Sequence, residues 1–180
     1  MHATNLLVFA IAGLAHAKPA EDRVYSLPDM ATFDKFEYYS GYVNLAGTGK
    51  SLHYIFVESQ NDPANDPLLL WFNGGPGCSS MLGWAQEHGP YSIDDGTDFW
   101  RENEYSWNKQ ANVIYLESPA GVGYSVCSTL KECTSNDDKS AADNLVAVLA
   151  WFEKFPEYKQ HDFYISGESY AGIYVPYLTW

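Results

Sequence analysis

The stretch from His161 to Gly172 constrains the fold of this chain more than any other. A β-prone run at residues 163–165 leads through small residues to Ser169, and small residues follow at positions 171 and 172. This pattern is typical of a strand that turns sharply into a helix with a serine at the turn, because larger neighbours would collide. Such a turn lifts a hydroxyl above a parallel sheet, where adjacent N–H groups can stabilise an oxyanion. Glycine–serine clusters also form plain turns, so the stretch alone leaves both interpretations open.

Two short apolar runs, Leu68–Phe72 and Asn112–Leu116, indicate the sheet to which this turn belongs. Both are typical of strands buried on both faces, and the strand before Ser169 is predicted to be a third. A helix is predicted at residues 81–87, and a long helix is predicted from about Asn136. The alternation predicts an α/β fold with parallel strands.

Two other segments complete the predicted layout. Residues 36–43 and 52–59, joined by a turn at 46–50, predict an antiparallel hairpin. The long helix has N-cap candidates at residues 135–137 and ends at Pro156. Its predicted buried face consists of Leu145, Val148, Leu149, Phe152 and Phe155, widened by Val146 and Trp151.

The composition excludes some classes of function. The chain has 180 residues, of which 46% are apolar, and this favours a packed domain over disorder. Its net charge is −13 and it has no basic cluster, so we expect no nucleic-acid binding. The acidity suits an acidic compartment, where carboxylates are partly neutralised, or it reflects no more than an acidic surface.

Residues 1–17 are predicted to be a secretory signal peptide, which leaves residues 18–180 as the mature part. They contain no Asp, Glu, Lys or Arg, and an apolar run at 6–15 leads to the small-x-small pattern that ends at Ala17. A short membrane anchor or a buried segment is the alternative, but the run is shorter than the ~20 residues that span a bilayer. No later stretch is long and apolar enough, so we expect no membrane span.

Secretion permits disulfides, and the chain has three cysteines. Cys127 and Cys133 lie close enough in sequence to close a local loop. Cys78 then lacks a partner, which indicates either a partner outside this chain or a free thiol. The cysteines and histidines have no metal-binding spacing, so we expect no metal and no cofactor.

The three glycine-rich loops at residues 73–80, 117–123 and 167–172 each follow a predicted strand. Ligands gather at the carboxyl ends of strands in open α/β sheets, so we expect the loops to share one rim. Gly74 and Gly75 would let backbone N–H groups approach a substrate closely. A phosphate cradle is the alternative, but the chain lacks the spacing and the Lys-Ser/Thr pair of a P-loop.

These loops resemble those of the serine carboxypeptidases, including the lysosomal cathepsin A type. The resemblance rests on three motifs, at residues 71–80 (WFNGGPGCSS), 117–125 (ESPAGVGYS) and 167–172 (GESYAG), and it runs from about residue 33 to the end. It implies the N-terminal portion of an α/β-hydrolase fold with a mixed, mostly parallel sheet. It also implies an enzyme that releases C-terminal residues from peptides and proteins, in a lysosome, a vacuole or outside the cell. A homodimer of the full-length protein is a further expectation.

The resemblance implies a role for individual residues. Ser169 would be the acyl-enzyme nucleophile, and the N–H groups of Gly75 and Tyr170 would form the oxyanion hole. The terminal carboxylate of the substrate would be held by four residues: Asn73, Gly74, Glu87 and Glu168. Cys78 would bridge to a cysteine beyond residue 180.

A pair of glutamates can bind a carboxylate only if one of them is protonated. If Glu87 and Glu168 lie close together, one keeps its proton at acidic pH and donates it in a hydrogen bond. We therefore expect substrate affinity to weaken toward neutral pH. Without the resemblance, Glu87 would be interpreted as an exposed carboxylate at a helix end.

A serine nucleophile needs a base and an orienting acid, and hydrolases of this fold place both after the serine. No Asp or His follows Ser169 here, and His161, at the start of a strand, is interpreted as structural. We expect the chain to be the N-terminal piece of a longer protein that is inactive alone, or else not to be an enzyme. An acyltransferase with the same serine and a non-catalytic protective protein are the alternative functions.

Overall fold

The computed structural model describes residues 18–30, 35–93, 96 and 99–180, and the predicted signal peptide lies outside them. Within these residues the strands are β1 (Tyr38–Leu45), β2 (Lys50–Val57), β3 (Leu68–Phe72), β4 (Tyr91–Ser92), β5 (Arg101–Glu102), β6 (Asn112–Leu116), β7 (Val126–Cys127) and β8 (Phe163–Gly167). The α-helices are α1 (Leu130–Cys133), α2 (Asp137–Lys154) and α3 (Ala171–Thr179). Short 3₁₀ helices cover Ala20–Asp22, Trp107–Lys109 and Pro156–Gln160, and a π-helix covers Gly83–Glu87.

The main sheet is mixed, with the strand order β1-β2-β6-β3-β8 and with β7 paired to β2. β3 is parallel to both β6 and β8, while β2 is antiparallel to β1, β6 and β7. β4 and β5 form a separate two-stranded ribbon. The predicted hairpin and the predicted parallel strands are therefore confirmed.

Position in the sheet explains which strands are buried. β6 lies between β2 and β3, and all five of its residues are buried, as predicted. The prediction of a third buried strand before Ser169 is wrong, because β8 is half-exposed and Tyr164 is 56% exposed. Among the described residues β8 pairs on one side only, with β3, so periodicity could not reveal its exposure.

The main core lies between the sheet and α2. Phe56 on β2 packs against three aromatic rings, with centroid distances of 4.9 Å to Trp151, 5.1 Å to Phe155 and 5.0 Å to Tyr158. A second core lies on the opposite face, where Tyr38 on β1 packs edge-on against Trp84 of the π-helix. Helices on both faces are the usual cover of parallel strands.

Helix α2 begins where the sequence predicts, because the Asn136 side chain accepts a hydrogen bond from the Lys139 N–H at 2.9 Å. Its predicted buried face is confirmed in part, because Trp151 and Phe155 are buried and Val148 and Phe152 pack partly buried against the core. Three of the residues assigned to that face are exposed: Leu145 by 50%, Val146 by 43% and Leu149 by 58%.

The face of α2 that packs on the sheet is partly polar. It consists of Ser140, Asp143, Asn144, Ala147 and Trp151. Asp143 accepts a 2.6 Å hydrogen bond from the Lys50 Nζ, and this ion pair is largely buried. An apolar pattern could not predict this orientation, because a buried ion pair occupies positions that hydrophobicity assigns to solvent.

The predicted helix at residues 81–87 is present, but it widens from an α-turn into the π-helix. It ends at Glu87, and two residues later, at Gly89, a methyl group would lie 1.9 Å from the Trp84 carbonyl oxygen. Only glycine fits there. This termination places Glu87 at the end of the helix.

The expected local disulfide is present. Cys127 and Cys133 form a disulfide, while the Cys78 thiol is free and exposed. In the described part of the chain, no helix has the length and apolar character needed to cross a membrane.

Candidate active site

Ser169 lies at a sharp turn between β8 and α3, as predicted. Its φ of 55° is in the left-handed region, which a serine rarely adopts, and its side chain is exposed. A methyl group at Gly167 would lie 2.5 Å from the Phe72 carbonyl oxygen and 2.6 Å from the Ala171 methyl group. Small residues are therefore required at 167 and 171, whereas Gly172 has open space around it.

The three glycine-rich loops meet at one rim, which confirms the prediction. A methyl group at Gly74 would lie 2.4 Å from the Tyr170 nitrogen, so the first loop contacts the serine turn directly. Gly77 donates a 3.1 Å hydrogen bond from its N–H to the Tyr174 hydroxyl on α3. Gly77 also faces Val122 of the middle loop.

The two predicted oxyanion donors lie where the first loop contacts the serine turn: Gly75 follows Gly74, and Tyr170 follows Ser169. Gly75 has a φ of 106°, which favours glycine, and it is exposed. Among the hydrogen bonds of the described residues, neither the Gly75 N–H nor the Tyr170 N–H has an acceptor. Both donors can therefore bind a developing negative charge, so their predicted role is chemically feasible.

Asn73 brings the two predicted glutamates together. Its Nδ2 donates to the Glu168 Oε1 at 3.0 Å and to the Glu87 Oε1 at 3.3 Å. Its Oδ1 accepts from the Trp71 Nε1 at 2.9 Å and from the Gly83 N–H at 3.0 Å. Because these two donors fix the amide oxygen, the amide N–H groups must point toward the carboxylates.

The environment of Glu87 favours its protonated form. Partial burial raises the pKa of the Glu87 carboxyl, and repulsion by Glu168 raises it further, while the hydrogen bond from Asn73 lowers it. The net shift is upward. This direction favours a proton on Glu87 at acidic pH.

Three residues that sequence reasoning missed hold this rim in place: Trp71, Ser80 and Tyr174. Trp71 orients Asn73. The Ser80 hydroxyl accepts from the Asn73 N–H at 3.2 Å and donates to the Leu116 carbonyl oxygen at 2.7 Å, so it ties the first loop to β6. Tyr174 accepts the hydrogen bond from the Gly77 N–H, and its position four residues beyond Tyr170 on the predicted helix was the available sign that the two lie on one face.

No base contacts the nucleophile in the part of the chain that the structure describes: the Ser169 hydroxyl has no hydrogen bond to a histidine or an aspartate there. His161 lies next to the start of β8, where its Nδ1 is 2.7 Å from the Asp66 carbonyl oxygen. This contact agrees with the predicted structural role of His161. Within the same residues, no group of His, Cys, Asp or Glu is arranged to hold a metal ion.

Comparisons with known proteins agree with the geometry. A sequence model of the family described as "Serine carboxypeptidase" matches residues 28–180. The chain is 52% identical over 163 residues to the serine carboxypeptidase ctsa-4.1 of Caenorhabditis elegans, covering 91% of this chain and 34% of that protein. It is 48% identical over 174 residues to the lysosomal protective protein of Mus musculus, covering 97% and 36%. The chain thus spans about a third of the length of these relatives.

A solved structure of a carboxypeptidase is also similar to this chain. The prohormone-processing carboxypeptidase Kex1(Δ)p of Saccharomyces cerevisiae superposes with a TM-score of 0.67 at 28% sequence identity. The superposition covers 80% of this chain and 33% of the yeast chain.

Proposed function

The chain belongs to the serine carboxypeptidase family, and from this membership we propose that the whole protein releases the C-terminal residue of peptides and proteins through an acyl-enzyme on Ser169. One observation carries the proposal. The amide of Asn73 points at Glu87 and Glu168, and Gly74, the next residue, contacts the serine turn. These contacts support a proposed site for a terminal carboxylate next to the proposed nucleophile.

The proposed reaction begins when the Ser169 Oγ attacks the carbonyl carbon of the last peptide bond. The N–H groups of Gly75 and Tyr170 stabilise the oxyanion that forms. A base takes the serine proton and returns it to the leaving amine, and water then hydrolyses the ester on Ser169. We propose that this base and its orienting acid are a histidine and an aspartate of the whole protein that these 180 residues do not supply.

We propose that the C-terminal carboxylate binds to the Asn73 Nδ2, to the Gly74 N–H and to a protonated Glu87. The raised pKa of Glu87 supports this assignment, because only the protonated form donates a hydrogen bond to a carboxylate. As the pH rises through that pKa, the donor is replaced by a negative charge, and affinity falls.

We also propose that the protein acts in the secretory pathway, in a lysosome, in a vacuole or outside the cell. The predicted signal peptide and the disulfide between Cys127 and Cys133 support this location. The free, exposed Cys78 is proposed to pair with a cysteine elsewhere in the whole protein.

The test compares two peptides of one sequence, one with a free C-terminal carboxylate and one with a C-terminal amide. We expect the full-length protein at pH 5 to release the last residue of the free acid much faster than that of the amide, as followed by mass spectrometry. Ser169→Ala should lower the rate by at least ~10³-fold while the variant stays folded. Equal cleavage of both peptides, internal cleavage or transfer of the acyl group to an added alcohol instead of water would contradict the proposal.

A further inference from the structure

Glu117 is the most deeply buried carboxylate at the rim, and the proposed reaction does not use it. It follows β6 directly and is 1% exposed. Its Oε2 is 2.9 Å from the His53 Nδ1 and accepts a 2.8 Å hydrogen bond from the Tyr124 N–H. Its Oε1 accepts a hydrogen bond from the Ser79 hydroxyl. The carboxylate therefore joins β2 to two of the three glycine-rich loops.

The chain is built around this carboxylate. A methyl group at Gly123 would lie 1.7 Å from the Glu117 Oε1, so the middle loop closes over the carboxylate without room for a side chain. His53 is held between the rings of Tyr42 and Tyr124, with both centroids 5.4 Å away. The His53 Nε2 is also 2.9 Å from a hydroxyl, that of Ser40. Both ring nitrogens are thus engaged, and Nδ1 must face Glu117.

Ser79 connects Glu117 to the oxyanion side of the site. It lies in the 73–80 loop, four residues after Gly75, and the Cys78 N–H donates to the Gly74 carbonyl oxygen at 3.0 Å to close the turn between them. Asn73 and Ser79 flank this turn, which Ser80 and the bond from Gly77 to Tyr174 also hold, and Ser79 is its link to Glu117. Loss of the Ser79 contact would let the turn shift, and the direction of the Gly75 N–H would shift with it.

We propose that Glu117 is a positioning residue, which through Ser79 fixes the 73–80 loop so that the Gly75 N–H points at the oxyanion. The proposal rests on the proposed function. In this proposal the buried His53 keeps the Glu117 carboxylate ionised and in place. A shift of about 1 Å at a reacting centre can cost about 10²-fold in rate, so a remote anchor has a measurable effect.

The electrostatics agree with this role. Burial alone would raise the pKa of the Glu117 carboxyl, but hydrogen bonds from His53, Ser79 and the Tyr124 N–H lower it below its usual value. These hydrogen bonds favour the ionised form of Glu117, which is the form that accepts all of them. The two carboxyls of one rim have opposite shifts, as their two roles require.

Glu58 provides a matched control. It is also buried, at 3% exposure, and it accepts hydrogen bonds from Lys18 and from the Tyr158 hydroxyl. It follows β2, beside the start of β6, and so lies at the end of the sheet away from the rim. Replacing Glu58 disturbs a buried carboxylate without touching the 73–80 loop.

The experiment uses the full-length protein and the variants Glu117→Gln, Ser79→Ala, Ser79→Thr, Glu58→Gln and the double variant of Glu117→Gln with Ser79→Ala. We expect Glu117→Gln and Ser79→Ala each to lower kcat at least about tenfold with KM within about twofold. The double variant should be no slower than the slower single variant, because both changes break one link. Ser79→Thr, which keeps the hydroxyl, should recover most of the lost rate.

A second readout reports on the oxyanion hole itself. A peptide aldehyde forms a hemiacetal with the nucleophilic serine, and its oxygen takes the place of the oxyanion. In Glu117→Gln the inhibition constant of the aldehyde should rise by the same factor by which kcat falls. The affinity for the product peptide should stay unchanged. Glu58→Gln should lower Tm but leave both kcat and aldehyde binding near the wild-type values.

Two results would overturn the inference. In one, Glu117→Gln and Ser79→Ala keep the wild-type kcat; in the other, Glu58→Gln lowers kcat as much as Glu117→Gln does. If Glu117→Gln does not accumulate as folded protein, Ser79→Ala alone decides. Wild-type cleavage of the free-acid peptide reports separately on the proposed function, because an inactive wild-type protein defeats that proposal whatever the variants do.

Discussion

Ser169 has a backbone conformation that most residues avoid, and the sequence around it shows how the chain tolerates this strain. Gly167 and Ala171 are close-packed against each other and against β3, and their small size was the basis for predicting the turn. The proposed carboxylate site was less predictable from the residues alone. Glu87 was recognised only through the family resemblance, since its approach to Asn73 depends on where the π-helix ends.

Replacement of Glu87 by Gln tests the pH dependence at the level of one residue. The amide donates a hydrogen bond at every pH, whereas the Glu87 carboxyl donates only below its raised pKa. We expect the KM of the wild-type protein for a free-acid peptide to rise between pH 4.5 and 7.5, and that of Glu87→Gln to change much less. The measurement is KM across this range in the full-length protein.

The exposed Glu104 is the control for this prediction, because Glu104→Gln removes a carboxylate that lies outside the rim. Its KM should follow the wild-type curve. A wild-type KM that stays flat, or an equal rise in Glu87→Gln, would contradict the role of Glu87.

Replacement of His88 by Gln tests the acid sensitivity of the fold. His88 is buried and stacks on Trp107 at a centroid distance of 3.9 Å, and burial lowers its pKa to about 4. An unfolded histidine has a pKa near 6.5, so as pH falls from about 6.5 to 4 the unfolded state binds the proton and the folded state does not. Folding is therefore weakened across this window.

We expect the free energy of unfolding of the full-length protein to fall between pH 7 and pH 4.5 by more in the wild type than in His88→Gln. Urea unfolding at the two pH values measures the difference. Parallel pH dependence in the two proteins would show that His88 is not the group responsible.

At the level of elements, the sequence predicts where helices and strands lie better than it predicts which way they face. β3 and β6 were predictable because a short, continuous apolar run is typical of a strand that is buried on both faces of a sheet. The buried face of α2 was predictable only in part: Trp151 and Phe155 are buried as predicted, but Asp143, paired with Lys50, is buried where Leu145 and Leu149 are exposed. The exposure of β8 depends on which elements lie beside it, and the sequence of β8 itself does not reveal these neighbours.

The orientation of α2 can be tested with two alanines of one helix. Ala147 is 1% exposed and packs in the main core, whereas Ala142 is exposed. Ala147→Leu should destabilise the full-length protein by about 1–3 kcal/mol through overpacking, and Ala142→Leu should have an effect within about 0.5 kcal/mol. Urea unfolding compares the two, and a larger loss for Ala142→Leu would contradict this orientation.

On the scale of the whole molecule, the sheet and the rim of glycine-rich loops form an α/β-hydrolase fold, as the sequence predicts and as the match to the yeast carboxypeptidase confirms. The sheet brings the ends of β3, β6 and β8 together, so that residues about a hundred positions apart, such as Asn73 and Glu168, come into contact. The glycine-rich motifs, although separated along the chain, can predict that these strand ends and their loops lie together. They cannot predict the side-chain contacts that fix the rim, such as that of Trp71 with Asn73.

The central claim is that Ser169 is the nucleophile, and covalent labelling tests it most directly. A fluorophosphonate reacts with the activated serine of a hydrolase, which displaces fluoride from phosphorus, and digestion followed by mass spectrometry locates the modified residue. With the full-length protein at pH 5, we predict one label, on the peptide that contains Ser169, and no label in Ser169→Ala. A label on another serine, or equal labelling of wild type and Ser169→Ala, would contradict the account.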